Sequence, residues 1–350
     1  MPPSTRRAER PPAMVDVARL AEVSQKTVSR VVNGEPHVSP HVTERVLAAI
    51  EELNFRPNTA ARALVTARTR VIGFVYTGSA LFGPSSMSVG VERAARDAGY
   101  SVAVVHTPDG SPASVRAAFD DLIGRGVEGI VVSEPADNVR PSDLGVRGVP
   151  VLSLENNPGD AGDWIMVGAD DRAAAREATA HLIGLGHRAV WHVAGPAGWA
   201  TSQSRLLGWQ DAHAAEGLVA PQVLRGDWSV GSGFDAGQVL ASRTDVTAVL
   251  AGNDEMAIGA IHALELAGLA IPTDVSVIGI DDIPLAAYLS VPLTTVRQDF
   301  DAIAREGMSR LLDVIEGRPL ASQRFAVPTE LIVRDSAAAA HPDRVGRLAS

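Results

Sequence analysis

The chain has 350 residues, of which 46% are hydrophobic and 21% charged, and its net charge at pH 7 is −10. It is apolar enough to fold and too long for one compact core, so two or three domains are expected. No run of about 18 apolar residues is present to span a bilayer, and Met1–Arg7 lacks the apolar stretch of a secretory signal. These features predict a cytoplasmic protein without a membrane partner. The absence of cysteine excludes disulfides, thiolate nucleophiles and thiolate metal sites.

The net charge is distributed unevenly along the chain. Residues 1–70 hold 11 Lys+Arg against 7 Asp+Glu and so carry +4, which leaves −14 on residues 71–350. A small basic head joined to an acidic body indicates a phosphate-binding module attached to a domain with another task. We expect residues 1–12 to be a disordered tail in front of this head.

Three bursts of apolar residues at helical spacing predict three helices within residues 13–57. The bursts are Val17/Ala18/Ala21, Val28/Val31/Val32 and Val42/Val46/Ile50/Leu53. Ser24 follows a turn of helix-turn-helix length and can cap the second helix with its hydroxyl. Ser39-Pro40 begins the third helix, because proline is favoured at the first helical position. Residues 13–57 are therefore predicted to be a helix-turn-helix DNA-binding domain.

The second helix places long hydrogen-bond donors at its exposed N-terminal end. Gln25 and Lys26 are its first residues, and Arg30 lies one turn beyond Lys26 on the same face. Arginine and lysine can contact guanine O6 and N7, and glutamine can bond adenine N6 and N7. The alternative is that these three side chains form an ordinary solvated helix face.

Residues 58–69 are predicted to be a hinge helix and linker. The stretch Thr59–Leu64 is helix-prone, but it is shorter than the ~12 residues that hold a helix in water. We expect it to fray in the absence of DNA.

Residues 70–334 alternate apolar runs with amphipathic stretches, which is typical of parallel sheets covered by helices on both faces. The predicted strands are Val71–Tyr76, Val102–His106, Gly129–Val132, Val149–Leu154, Ala189–Ala194, Ala248–Ala251 and Val275–Ile280. A break near Val149–Asp171 predicts two similar lobes. Ligands of such sheets bind outside the carboxyl ends of the strands, which here means between the lobes.

Four polar or aromatic residues follow different elements of this body and could form a sugar site. A sugar needs carboxylates, amides and guanidinium groups for its hydroxyls and an aromatic face for its C–H side. Arg205, Trp228, Asn253 and Asp281 supply that set. The alternatives are that Asn253 and Asp281 cap helices, Trp228 belongs to the core and Arg205 forms a surface ion pair.

The sequence gives little support for an enzyme. Gly231-Ser232-Gly233 matches a dinucleotide-binding loop only weakly. Asp281 and Asp282 are adjacent in sequence, and adjacent carboxylates seldom point at one substrate atom. No nucleophile triad and no metal-ligand spacing is visible, so we predict no catalytic residue, no metal and no cofactor. An exported sugar-binding protein would fit the body alone, but the basic head argues against it.

The head resembles the DNA-binding and hinge segments of the lactose repressor (LacI/GalR) family. The matching segments are Val15–Ala18, Val23–Asn33, Val38–Ser39, Arg45–Val46, Glu51–Asn58 and Ala61–Leu64. The resemblance implies that Gln25, Lys26 and Arg30 read bases, and that five more residues lie against phosphates or sugars: Ser24, Thr27, Ser29, Asn33 and His37. It also implies that Ala61 and Leu64 belong to a hinge helix that enters the minor groove. Glu22 departs from the glycine common at this turn.

The body resembles the same family, whose core is built like a periplasmic sugar-binding protein. The matching segments include Gly184–His187, Ala194–Pro196, Arg205–Trp209, Asn253–Ala257, Val277–Asp282 and Pro292–Val296. The implied fold class is α/β: a small all-α helix-turn-helix head plus a two-lobed, periplasmic-binding-protein-like core of doubly wound parallel sheets. The resemblance adds Glu155, Gln298 and Phe300 to the effector site, with Leu81 and Pro84 as an apolar wall.

The combined expectation is a repressor that a small sugar releases from a pseudo-palindromic DNA operator. A galactoside-like effector is favoured because Thr77–Ser85 and Gly226–Ser229 resemble the lactose-responsive members. The alternative is a nucleoside- or purine-responsive regulator of the same family. One head contacts one half-site, so a homodimer is expected. Residues 335–350 carry no leucine heptads, and we predict a disordered tail there and no tetramer.

Overall fold

The computed structural model describes residues 10, 12–32, 34–56, 66–76, 79–107, 111–133, 148–155 and 162–341. The chain divides into two compact units, residues 1–69 and residues 70–350. No helix of the described residues is both long and apolar enough to cross a bilayer.

The head consists of the three expected helices, α1 (Met14–Leu20), α2 (Gln25–Val32) and α3 (Pro40–Glu52). Their apolar faces meet in a small core that includes Val17, Val28 and Val46, all fully buried. Both predicted caps are present. The Ser24 hydroxyl accepts a hydrogen bond from the Thr27 amide at 3.1 Å, and the Ser39 side chain accepts one from Val42.

The turn between α1 and α2 contains a strained residue. Glu22 has a φ of +52°, in the left-handed region that costs a residue with a Cβ about 1–2 kcal/mol. The Arg45 guanidinium of α3 donates to the carbonyl oxygens of Ala21 at 2.6 Å and of Glu22 at 3.2 Å. These bonds hold the turn in place, so glutamate is tolerated where glycine would fit without strain.

The second unit contains twelve strands among its described residues. Its elements in chain order are β1 (Val71–Tyr76), α4 (Phe82–Asp97), β2 (Ser101–His106), α5 (Pro112–Gly124), β3 (Gly129–Ser133), β4 (Val151–Ser153), β5 (Ile165–Ala169), α6 (Asp171–Gly184), β6 (Val190–Ala194), α7 (Ala200–Ala215), β7 (Leu224–Arg225), α8 (Val230–Ala241), β8 (Ala248–Ala251), α9 (Asp254–Leu266), β9 (Ser276–Asp281), a 3-10 helix (Pro284–Tyr288), β10 (Thr294–Arg297), α10 (Phe300–Ile315), β11 (Arg324–Val327) and β12 (Glu330–Ile332).

The strands form two six-stranded sheets, which define two lobes and confirm the predicted fold class. Lobe 1 has the order β11-β5-β4-β3-β1-β2 with every pair parallel. Lobe 2 has the order β12-β10-β9-β8-β6-β7, in which only the β10–β12 pair is antiparallel. Alternate residues of a strand face opposite sides of a sheet. In β1, accordingly, Ile72 and Phe74 pack on the side of α4 and α10, whereas Val75 packs on the side of α5.

The chain passes between the lobes three times, after β5, after β10 and after β11. The first crossing falls at Asp170, at the far end of the predicted break, because β4 and β5 still belong to lobe 1. The edge strand of the lobe 1 sheet, β11, is formed by residues near the end of the chain. The crossings place Asp171 and Gln298 at the junction of the lobes.

The predicted start of the disordered C-terminal tail at residue 335 is too early. Ser336 is fully buried in lobe 2, where its hydroxyl donates to the Val277 carbonyl at 2.6 Å and accepts from the Thr294 amide at 2.8 Å. The Ala340 amide donates to the Leu185 carbonyl at 2.9 Å. Hydrogen bonds from side chain and backbone thus hold residues 335–340 on lobe 2 although their composition is that of a tail. Residues 342–350 lie outside the described part of the chain.

Candidate functional site

A cavity of about 120 Å³ opens between the two lobes of the second unit. It brings together all nine residues that the sequence predicted for an effector site: Leu81, Pro84, Glu155, Arg205, Trp228, Asn253, Asp281, Gln298 and Phe300. They come from the carboxyl ends of strands, from helix N-termini and from the lobe crossings. This is the location that doubly wound sheets favour for ligands.

Nine further residues line the cavity that sequence reasoning did not single out: Gly83, Met87, Ser133, Leu154, Ala169, Asp171, Trp199, Thr201 and Ile303. Ser133 and Leu154 lie at or just beyond the ends of predicted strands, so the rule that ligands bind at strand ends could have found them. Asp171 follows β5, a strand that the sequence analysis missed. The signal available for it was the apolar run Ile165–Ala169, which is followed directly by two aspartates.

Arg205 is the central charged group of the cavity. It is 4% exposed, and its Nε donates to Asp171 Oδ1 at 2.8 Å. Its Nη1 donates to the Gly252 carbonyl, and its Nη2 lies 3.8 Å from Asp281 Oδ1. Its guanidinium carbon lies 5.5 Å from the centre of the Trp228 ring, within cation–π range. The surface ion pair considered as an alternative for Arg205 is therefore wrong.

Burial and charge act in opposite directions on this cluster. Burial raises the pKa of Asp281 well above its ordinary value against the attraction of Arg205, and burial likewise raises the pKa of Asp171. Burial also opposes the charge on Arg205, but Asp171 and Asp281 together raise its pKa above the ordinary value, so the guanidinium stays charged. Because these polar groups are shielded from water, a ligand that forms hydrogen bonds with them binds with a favourable free energy.

The carboxylate of Asp281 is aimed by a strained turn at the end of β9. Asp281 and Asp282 have φ values of +124° and +53°, which side chains with a Cβ rarely adopt. The Asp282 carboxylate accepts hydrogen bonds from Arg297 at 2.7 Å and Arg334 at 2.6 Å. Gln298 donates to Asp281 Oδ1 at 2.6 Å. Residues from two segments, Arg297-Gln298 and Arg334, thus hold the turn against its strain.

Asn253 combines two roles that the sequence analysis treated as alternatives. Its Oδ1 accepts from the Met256 amide at 2.9 Å and so caps α9. Its Nδ2 donates to the Trp228 carbonyl at 3.0 Å and to Glu255 Oε2 at 2.9 Å. Both amide hydrogens are therefore used within the protein. Asn253 lines the cavity, but what it offers a ligand is the remaining lone pair of Oδ1.

Trp228 is likewise both a core residue and a wall of the cavity. Its ring is 5% exposed, packs in the hydrophobic cluster of lobe 2 and lies edge-on to Trp199 with ring centres 5.8 Å apart. A Cβ at Gly195 would lie 2.2 Å from the ring, so only glycine leaves space for it. Among the described atoms its Nε1 has no hydrogen-bond partner.

Apolar side chains from lobe 1 line part of the cavity. Leu81 and Pro84 come from the start of α4, and Phe300 from the start of α10. Phe300 packs edge-to-face with Phe82 at 5.9 Å between ring centres. A lining that combines polar groups with apolar side chains matches a sugar ring, which carries hydroxyls at its edge and C–H groups on its faces.

The head exposes most of the residues predicted to contact DNA. Ser24, Gln25, Lys26 and His37 are exposed, and Thr27, Ser29 and Arg30 are half-buried. Arg30 lies 3.7 Å from Glu35 in a loose ion pair. Buried Val28 packs in the head core, so Lys26 and Arg30, one turn apart, share the outer side of α2. The predicted contacts Asn33, Ala61 and Leu64, and the hinge helix, lie outside the described residues.

Comparison with known proteins agrees with this two-part architecture. Residues 13–58 match the bacterial regulatory proteins of the lacI family, and residues 179–337 match a periplasmic binding protein-like domain. The chain belongs to the lacI family of DNA-binding transcriptional repressors. The resemblance identified from the sequence is confirmed.

Individual relatives extend over nearly the whole chain. The lactose operon repressor of Escherichia coli K12 is 33% identical over 93% of this chain and 90% of its own length. The ribose operon repressor of the same organism is 35% identical over 93% of this chain and 99% of its own length. The crystal structure of the lac repressor dimer bound to operator and the anti-inducer ONPF superposes with a TM-score of 0.84 at 31% identity, covering 94% of this chain and all of that one.

Removing the buried cation should cost much more stability than removing an exposed one. Arg205→Ala leaves Asp171 and Asp281 buried without their partner, so we expect a loss of about 3–5 kcal/mol in the free energy of unfolding. Arg172→Ala is the matched control, because its pair with Asp211 is 56% and 36% exposed and should be worth about 0–1 kcal/mol. Urea unfolding monitored by circular dichroism measures both. Equal losses would contradict the assigned role of Arg205.

Proposed function

We propose that this chain is a cytoplasmic repressor that binds a pseudo-palindromic operator as a homodimer and is released by a small neutral sugar. The observation that carries the proposal is the cavity at the lobe junction, which a buried Arg205–Asp171–Asp281 cluster lines together with apolar side chains of lobe 1. The same chain carries a basic helix-turn-helix head. The lac repressor dimer, a solved relative, is described as bound to operator.

The proposed base-reading surface is the outer side of α2, formed by Gln25, Lys26 and Arg30. These side chains stand at the exposed N-terminal half of the second helix, which is the part that enters the major groove in helix-turn-helix proteins. Ser24, Thr27, Ser29 and His37 lie nearby in the sequence and can serve phosphates.

Replacing Arg30 should weaken and broaden operator recognition. Arg30→Ala removes a donor suited to guanine, so we expect a loss of about 1–3 kcal/mol per half-site and relaxed preference at one base pair. The operator is first selected from a random DNA pool with the wild-type protein, and both affinities are measured at one salt concentration. Arg96→Ala removes the same charge from an exposed position on α4 and is the control. An unchanged base preference in Arg30→Ala would show that α2 does not read the groove as proposed.

The charge of the cavity favours a neutral effector over a phosphorylated one. Arg205 is its only cationic lining residue among the described ones, and three acidic residues, Asp171, Asp281 and Glu155, also line it. A phosphate would have to lose its hydration in this site, where the one cation that could receive it is already paired with Asp171. The volume, about 120 Å³, is below the roughly 300–1,000 Å³ typical of drug-sized ligand sites, so a single ring fits better than a chain of rings. We favour a galactoside-like sugar.

A thermal-shift panel tests the effector class directly. The probes are galactose, methyl galactosides, ribose, galactose 6-phosphate, adenosine and guanine. A neutral sugar at 100 times its dissociation constant should add about 2.7 kcal/mol of stability, whereas the phosphate should add none. Asp281→Asn should abolish the shift, and Asp245→Asn, which alters an exposed ion pair in lobe 2, should retain it. Shifts from the purine compounds alone would favour the nucleoside-responsive alternative, which the rings of Trp199 and Trp228 could also accommodate.

Exposed apolar surface in both lobes supports a homodimer. In lobe 1, β2 is an edge strand, and its Val104 is 45% exposed. In lobe 2, Leu266 of α9 is 68% exposed and Tyr288 of the 3-10 helix 82%. Large apolar side chains and an open strand edge are features that association covers. A two-fold dimer also supplies the two heads that a pseudo-palindromic operator needs.

Light scattering tests the oligomeric state. We expect a dimer at micromolar concentration, because the described residues contain no additional helix after α10 that could join two dimers. Leu266→Asp should shift the protein toward monomer, and Val219→Asp, at a position 88% exposed outside α9, should not. A stable tetramer, or a wild-type monomer, would contradict the proposal.

A further inference from the structure

The N-terminus of α4 lacks a cap from its own segment. The residue before the helix is Leu81, whose apolar side chain makes no capping hydrogen bond. The first amide groups of a helix have no partner within it and need one from elsewhere. In this protein the partner comes from lobe 2, since Glu255 Oε1 accepts a hydrogen bond from the Phe82 amide at 2.9 Å. The two residues are 173 positions apart in the chain.

The same carboxylate also contacts a residue that lines the cavity. Glu255 Oε2 accepts from Nδ2 of Asn253 at 2.9 Å, and Asn253 lines the cavity and caps α9. Glu255 therefore bridges a backbone amide of lobe 1 and a cavity side chain of lobe 2. Its negative charge lies in the first turn of α9 and at the start of α4, where both helix dipoles favour an anion.

Apolar contacts accompany this hydrogen bond. Leu81 and Phe82, which begin the lobe 1 helix, pack against the hydrophobic cluster of lobe 2. Leu81 and Pro84 also form the apolar wall of the cavity. Separation of the lobes at this edge would remove the cap of α4 and expose these side chains together. The contact is also distant in sequence from the three chain crossings, so chain connectivity alone does not maintain it.

We propose that Glu255 is a positioning residue that latches the two lobes together and holds the amide of Asn253 in its cavity-lining orientation. Through this carboxylate, a ligand that shifts Asn253 changes the stability of the contact between the start of α4 in lobe 1 and α9 in lobe 2. Conversely, opening of the lobes releases Asn253. The link to regulation rests on the proposed function, whereas the latch itself is a property of the protein without ligand.

Distance measurement between spin labels tests the latch directly. The chain contains no cysteine, so Asp120→Cys on α5 and Gln210→Cys on α7, both exposed positions in different lobes, can be labelled selectively. Labelled full-length protein is diluted into excess unlabelled protein, so that only distances within one chain are recorded. Pulsed electron resonance then gives the distribution of interlobe distances without sugar or DNA.

We expect one narrow distribution for the protein with Glu255 intact and a new, longer-distance population for Glu255→Ala. Glu255→Gln keeps one acceptor and should give a smaller shift in the same direction; it also serves if the alanine variant does not fold. Asp245→Ala, which removes an exposed carboxylate paired within lobe 2, should leave the distribution unchanged. Coincident distributions for the wild type and both Glu255 variants would overturn the latch. That outcome would leave the effector and operator proposals standing, because neither ligand takes part in the measurement.

Discussion

The buried pair of Arg205 and Asp171 is the interaction on which the arrangement of the core depends. Asp171 begins α6 directly after the chain first enters lobe 2, and Asp281, the second carboxylate near Arg205, ends β9. Gln298, at the second crossing, completes the cluster by bonding Asp281. Buried ion pairs contribute little net stability compared with apolar packing of the same volume. Removing one partner is nevertheless strongly destabilising, because it leaves an uncompensated charge buried at the lobe junction.

Strained backbone occurs at both candidate sites, and in each case arginines from another segment hold it. Glu22 lies in the head turn between α1 and α2 and is held by Arg45 of α3. Asp282 lies beside the cavity and is held by Arg297 and Arg334. A positive φ at a residue with a side chain persists only where its surroundings supply compensation, and such positions concentrate at functional sites. The first turn precedes α2, and the second carries the Asp281 carboxylate.

Local signals in the sequence predicted the head and four of the cavity residues, and the family resemblance implied five more. Caps, apolar spacing and the Ser39-Pro40 start locate α1 to α3 because all of these act within a few residues. Strands β11 and β12 were missed, since short strands become stable only through partners such as β5 and β10 that are distant in the chain. Asp171 was missed together with β5. Ser336 was assigned to a tail because its burial depends on hydrogen bonds between its hydroxyl and the main chain of Val277 and Thr294, which composition does not encode. The two roles of Asn253 needed atomic distances, since a cap and a cavity residue look alike in sequence.

The return of β11 to lobe 1 has a consequence for synthesis of the protein. Among the described residues, the core of the head ends at Phe55, so the head can fold while most of the chain is still being translated. The first sheet lacks its β11 edge until residues 324–327 have left the ribosome. About 270 residues separate them, so at ~5–20 residues per second the interval between these events is roughly 14–54 s. During that interval the nascent chain carries a folded helix-turn-helix head before its two-lobed unit is complete.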